Sequence, residues 1–142
     1  MNMDKINVKS FIGNLTEKTK ESNAKWGKVP ILAYSKIIDR PMGDSKLKEC
    51  YFTDSSDGLT RIVIGKYQSK VYSDEYNFTL EDHFFITITD NKYQDPTTFS
   101  EIDDDEWNYD SNYSFTLSLS KLYRMIQLQT NNIQHRLDNF FD

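Results

Sequence analysis

The residues with the strongest chemical accent sit in one run, Glu101-Ile102-Asp103-Asp104-Asp105-Glu106-Trp107-Asn108-Tyr109-Asp110. Three kinds of chemistry suit it. The simplest is a solvated acidic loop whose carboxylates stabilise the positive end of a following helix. A second is a docking surface, in which acids rim the apolar anchors Phe99, Trp107, Tyr109 and Tyr113 and select a basic partner protein. A third is a Mg²⁺ or Ca²⁺ site built on carboxylate oxygens. Three adjacent aspartates do not converge easily on one ion, however, and the turn glycine of an EF-hand loop is missing.

Charge distribution sharpens the second possibility. Residues 93–120 carry seven acids and no lysine or arginine, whereas residues 1–53 hold ten basic residues against six acids. The net charge of −5 therefore hides a lopsided chain, and such fields act on association and steering. The basic third carries Lys5, Lys9, Lys18, Lys20, Lys25 and Lys28, interrupted by Glu17 and Glu21. That pattern reads as a solvated helix face, since nucleic-acid readout favours arginine on an unbroken positive surface. The converse, a protein whose acids imitate a nucleic-acid backbone, needs carboxylates spaced over a wide face; here the excess is local.

Other reactive residues are few. Cys50 is the single cysteine and reads as a small apolar side chain in a strand. The two histidines, His83 and His135, lie far apart in sequence, so a zinc site would need carboxylates to complete it. No Gly-rich phosphate loop, CxxC, HExxH or GxSxG is present. No cofactor is implied.

The elements that must position these residues are read from periodicity. Asn7 or Asp4 can cap a first helix with Val8, Phe11, Ile12, Leu15 and Thr19 at helical spacing. Pro30 then opens a β segment over Ile31–Ile38. Strands follow over residues 47–53 and 59–67, joined by the turn Asp54-Ser55-Ser56-Asp57-Gly58. Gln68-Ser69 predicts a turn into residues 71–80, and Glu81-Asp82 another into His83–Thr89. Phe84, Ile86 and Ile88 share one face of that last strand. Ile62, Val63 and Ile64 put apolar groups on both faces of theirs, as in a central strand covered twice. Residues 97–102 could add a sixth strand, and residues 103–113 show no period. A long helix is predicted from Ser118, its stripe running through Leu119, Leu122, Tyr123 and Ile126 to Ile133, Leu137, Phe140 and Phe141, with the C-terminus docked.

The fold expected is a single α+β domain over residues 1–142. It has an N-terminal helix, a meander-like antiparallel sheet of five to six strands, and a long C-terminal helix packed on the sheet. The composition, 37% hydrophobic and 14% aromatic, argues against global disorder. The N-terminus lacks the apolar core of a signal peptide and no run is long enough to span a bilayer, so the cytoplasm is the expected compartment.

The functional expectation is a small non-catalytic protein-binding domain of the adaptor, immunity or inhibitor kind. Its contacts would be Phe99, Asp103, Asp104, Asp105, Glu106, Trp107, Tyr109, Asp110 and Tyr113 against a basic protein, without direct nucleic-acid or membrane binding. Self-association through a sheet edge or the last helix is compatible with it. Two alternatives remain: a metal-dependent hydrolase or nuclease using Asp103, Asp105 and Glu106 with His83 as base, and a nucleic-acid-mimicking inhibitor.

Overall fold

The structure is a computed structural model that describes residues 7–100 and 109–141, with side chains over 7–100 and 114–141. The fold is α+β, built on a five-stranded antiparallel sheet in sequential order. Helix α1 (Val8–Lys20) leads into the short edge strand β1 (Gly27–Lys28) and a 3₁₀ helix (Ile31–Lys36). Strands β2 (Lys46–Asp54), β3 (Arg61–Tyr72), β4 (Phe78–Thr89) and β5 (Thr97–Ser100) complete the meander. Helices α2 (Tyr109–Thr130) and α3 (Ile133–Asp138) follow.

Two apolar layers sandwich the sheet. On one side Val8, Ile12 and Leu15 of α1 and Phe115, Leu119, Leu122 and Ile126 of α2 close over Tyr51, Ile62, Ile64 and Ile86. On the other, Val29, Ala33 and Ile37 cover Cys50, Val63, Tyr67 and Phe85. The predicted two-sided burial of β3 is thus what the strand alternation produces. Asn7 caps α1 as expected, its side-chain oxygen accepting from the Ser10 amide at 2.9 Å.

The β2–β3 turn follows its local chemistry. Gly58 takes φ +74°, and the Asp57 carboxylate accepts from the Leu59 amide at 2.9 Å. Beyond the turn, Arg61 pairs bidentately with Asp54 at 2.7 and 2.9 Å and lies over the Phe52 ring at 4.0 Å.

Four expectations are corrected. Residues 31–38 do not form a strand: after Pro30 the chain winds into a 3₁₀ helix over Ile31–Lys36, and Ala33 and the C-capping Ile37 are buried on the sheet beside Val29. Gln68-Ser69 and Glu81-Asp82 are not turns but mid-strand residues paired with each other, Gln68 with Asp82 and Ser69 with Glu81. The reversal lies at residues 73–77, where Asp74 Oδ1 accepts from the amides of Tyr76 and Asn77 at 2.8 and 2.9 Å. The last helix begins at Tyr109, well before Ser118. It also stops at Thr130, because Asn132 adopts the left-handed conformation at φ 51°. Helix α3 consequently leaves the stripe, buries none of its residues, and exposes Leu137, Phe140 and Phe141 instead of docking them.

Candidate functional site

Phe99 lies on β5 opposite Ile86, half-buried against the helix-side core. Asp103, Asp104, Asp105, Glu106 and Trp107 fall outside the described residues, and Tyr109, Asp110 and Tyr113 belong to the first turns of α2. The possible extension of β5 to residue 102 likewise reaches beyond them.

His83, the base of the hydrolase alternative, faces the 3₁₀-helix side of β4. Its Nε2 lies 3.1 Å from Ser69 Oγ and 3.2 Å from Glu81 Oε1, and its ring stacks on Tyr67 with centroids 5.1 Å apart. A serine nucleophile needs the hydroxyl on one imidazole nitrogen and the orienting carboxylate on the other. Here both partners meet the same nitrogen, and the trio brackets the ring between the two strands. Among the described residues no group of three or more His, Cys, Asp or Glu side chains could hold a metal ion.

The β3–β4 hairpin supplies a surface of another kind. Strand β2 pairs with β3 no farther than Gln68, and β5 pairs with β4 only over residues 85–88. Past those limits, among the described residues, the two strands continue as a ribbon, from the Ser69–Glu81 pair to the Tyr72–Phe78 pair. Every residue from Lys70 to Asp82 is exposed. A two-stranded ribbon is marginal by itself; this one is held because it grows out of a central ladder buried on both faces.

What the ribbon exposes is largely apolar. Tyr72, Phe78 and Leu80 keep 55%, 45% and 58% of their surface in water, so pairing across the ribbon leaves about half of each side chain available. By two-residue alternation Lys70, Tyr72, Phe78 and Leu80 continue the face that carries Ile64, Phe84 and Ile86. Tyr72 and Phe78 hold their rings 5.6 Å apart, and Lys70 Nζ sits 4.8 Å above the Phe78 ring. Tyr76 stands at the tip, and Val71 points to the other face. Asp74 and Glu75 stand at the tip, Asp82 shares the aromatic face with Lys70 and pairs with Lys66 at 3.9 Å, and Glu81 lies on the other face beside His83.

The combination of aromatic anchors and acids expected of residues 99–113 therefore recurs in the ribbon. The strand expected over residues 71–80 is interrupted by the reversal at 73–77, which leaves Tyr72 and Phe78 facing each other across an exposed ribbon. The available signal was the Asp74–Asn77 turn, which lengthens both strands past anything the core can cover.

No family model matches the chain, and neither the curated proteins nor the solved structures compared with it yield a match. Among the described residues no helix is long and apolar enough to cross a membrane.

Proposed function

We propose that this chain is a non-catalytic protein-binding domain of the adaptor, immunity or inhibitor kind, and that its ribbon receives a basic, extended segment of another protein. The observation that carries the reading is the exposed cluster Tyr72, Tyr76, Phe78 and Leu80 on a ribbon that extends past the paired part of the sheet, with Asp74 and Glu75 at its tip. Burial of large apolar side chains stabilises a fold; leaving them on a projecting arm suits a partner that buries them instead.

The backbone supports the extended form of that partner. Among the described residues the outer edge of β4 from Phe78 to Asp82 has no neighbouring strand. The backbone of that edge can pair with an added strand, with Phe78 and Leu80 contacting its side chains on one face. The acidic residues Asp103, Asp104, Asp105 and Glu106, with Trp107, Tyr109, Asp110 and Tyr113, would extend the same negative field. An acidic surface raises the association rate of a basic partner and loses that advantage as salt increases.

Selection of displayed random peptides on the immobilised protein tests this reading. The expected winners are basic, extended peptides that the Tyr72→Ser/Tyr76→Ser/Phe78→Ser protein no longer retains. Peptides without a basic bias, or peptides held equally by that variant, would contradict it. Pairing of two ribbons in a homodimer is the competing outcome, visible as ribbon-dependent sedimentation of a dimer.

A further inference from the structure

A second site lies beside α1. Between α1 and the β2–β3 hairpin opens a cleft of about 820 Å³, within the range that holds small organic ligands. Its wall is apolar: Val8, Phe11 and Leu15 from the helix, and Ile62 and Ile88 from the sheet. Phe11 is the exposed apolar member of a helix whose neighbours Val8, Ile12 and Leu15 are buried.

The rim is polar and its free charge has one sign. Asp54 lines the cleft, but both its carboxylate oxygens are engaged by Arg61 at 2.7 and 2.9 Å. Lys18 and Lys25 also line it, and neither makes an ion pair among the described residues. Both flank the chain reversal after α1. The Lys18 carbonyl accepts from the amides of Asn23 at 2.8 Å and Ala24 at 3.3 Å, with Ser22 left-handed at φ 60°. That turn brings the backbone of Ala24, the residue before Lys25, against the Lys18 carbonyl.

From this geometry we infer that the cleft binds a single-chain anionic amphiphile of the fatty-acid class. The hydrocarbon chain lies along Phe11, Leu15, Ile62 and Ile88, and the carboxylate meets the Lys18 and Lys25 ammonium groups. A neutral amphiphile would leave both cations without a counter-charge, and a hydrophilic anion would leave the apolar wall wet.

Calorimetric titration of the full chain with palmitate below its micellar concentration tests the assignment, with hexadecanol and phosphatidylglycerol vesicles as companion probes. Palmitate is expected to bind saturably at one site. Hexadecanol, and palmitate with the Lys18→Glu/Lys25→Glu protein, should each bind about tenfold more weakly, as two screened charge contacts allow. The Phe11→Glu protein should lose binding. All three substituted side chains are exposed, and unchanged thermal unfolding of each variant shows that its fold is intact. Unchanged palmitate affinity after charge reversal, an absence of saturable binding, or binding to vesicles alone would overturn the proposal. So would a dimer that Phe11→Glu dissociates, because a second copy would then occupy the cleft.

Discussion

Phe85 lies directly across the ladder from Gly65, and its ring fills the space that a side chain at position 65 would need. A Cβ built there would stand 2.6 Å from Phe85 Cε1 and 2.8 Å from Cys50 Sγ. Both neighbours are buried, so neither can swing into solvent. Gly65→Ala should therefore destabilise the protein by about 1–3 kcal/mol through overpacking, read as a lower urea midpoint with unchanged slope. A variant as stable as the parent would mean that the ring relocates easily.

Cys50 belongs to the same packed layer. Burial pushes its thiol up to about 12, far above the range where a thiolate forms at neutral pH. Alkylation by iodoacetamide at pH 8 should proceed only as fast as the protein opens, accelerating with urea in step with unfolding. Fast labelling of the folded protein would contradict this placement.

The Asp54–Arg61 pair makes stability depend on acid. The Arg61 guanidinium holds the Asp54 carboxyl below its ordinary value of 3.8, with a small opposing push from burial. A depressed folded-state value means that the contribution is complete above that ordinary value and is lost as pH falls through the folded one. The stability advantage of the parent over Asp54→Asn should thus be constant at neutral pH and shrink below about pH 4. An advantage that persists undiminished to pH 2 would rule out the carboxylate as its source.

Helix α3 is packed on nothing that buries it. Truncation after Asn132 should change unfolding free energy by no more than about 1 kcal/mol, as for other exposed segments. A larger loss would show that Leu137, Phe140 or Phe141 rests on the domain.

The layers were legible where a core imposes a period. Ile62, Val63 and Ile64 announced a strand buried on both faces, and Phe84, Ile86 and Ile88 lined up as their alternation required. Where burial stops, so did the signal. From Lys70 to Asp82 no face is covered, so nothing forces apolar and polar residues to alternate. Gln68-Ser69 then resembled a turn as much as Asp74-Glu75-Tyr76-Asn77 did. The apolar run from Ile31 to Ile38 was ambiguous for a different reason. Its β-branched residues favour a strand, yet after Pro30 the chain winds into a 3₁₀ helix and buries Ala33 and Ile37 on the sheet beside Val29. At the C-terminus the stripe continues through Ile133 and Leu137 in sequence, and a single left-handed residue, Asn132, turns it away from the core.

The acidic-aromatic composition of residues 99–113 was legible in the sequence, and its recurrence on an exposed ribbon was not. Tyr72, Tyr76 and Phe78 contribute to stability only through exposed cross-strand contacts. Replacing all three by serine should cost no more than about 1 kcal/mol, which thermal unfolding can check. A cooperative loss of the fold would instead make the ribbon a structural element.

Amide chemical-shift mapping of the protein with a selected basic peptide tests the central claim most directly. The largest changes should fall on residues 69–82, weaken with added salt, and disappear in the triple-serine variant. Changes centred elsewhere, with residues 69–82 unmoved, would contradict the ribbon as the docking surface.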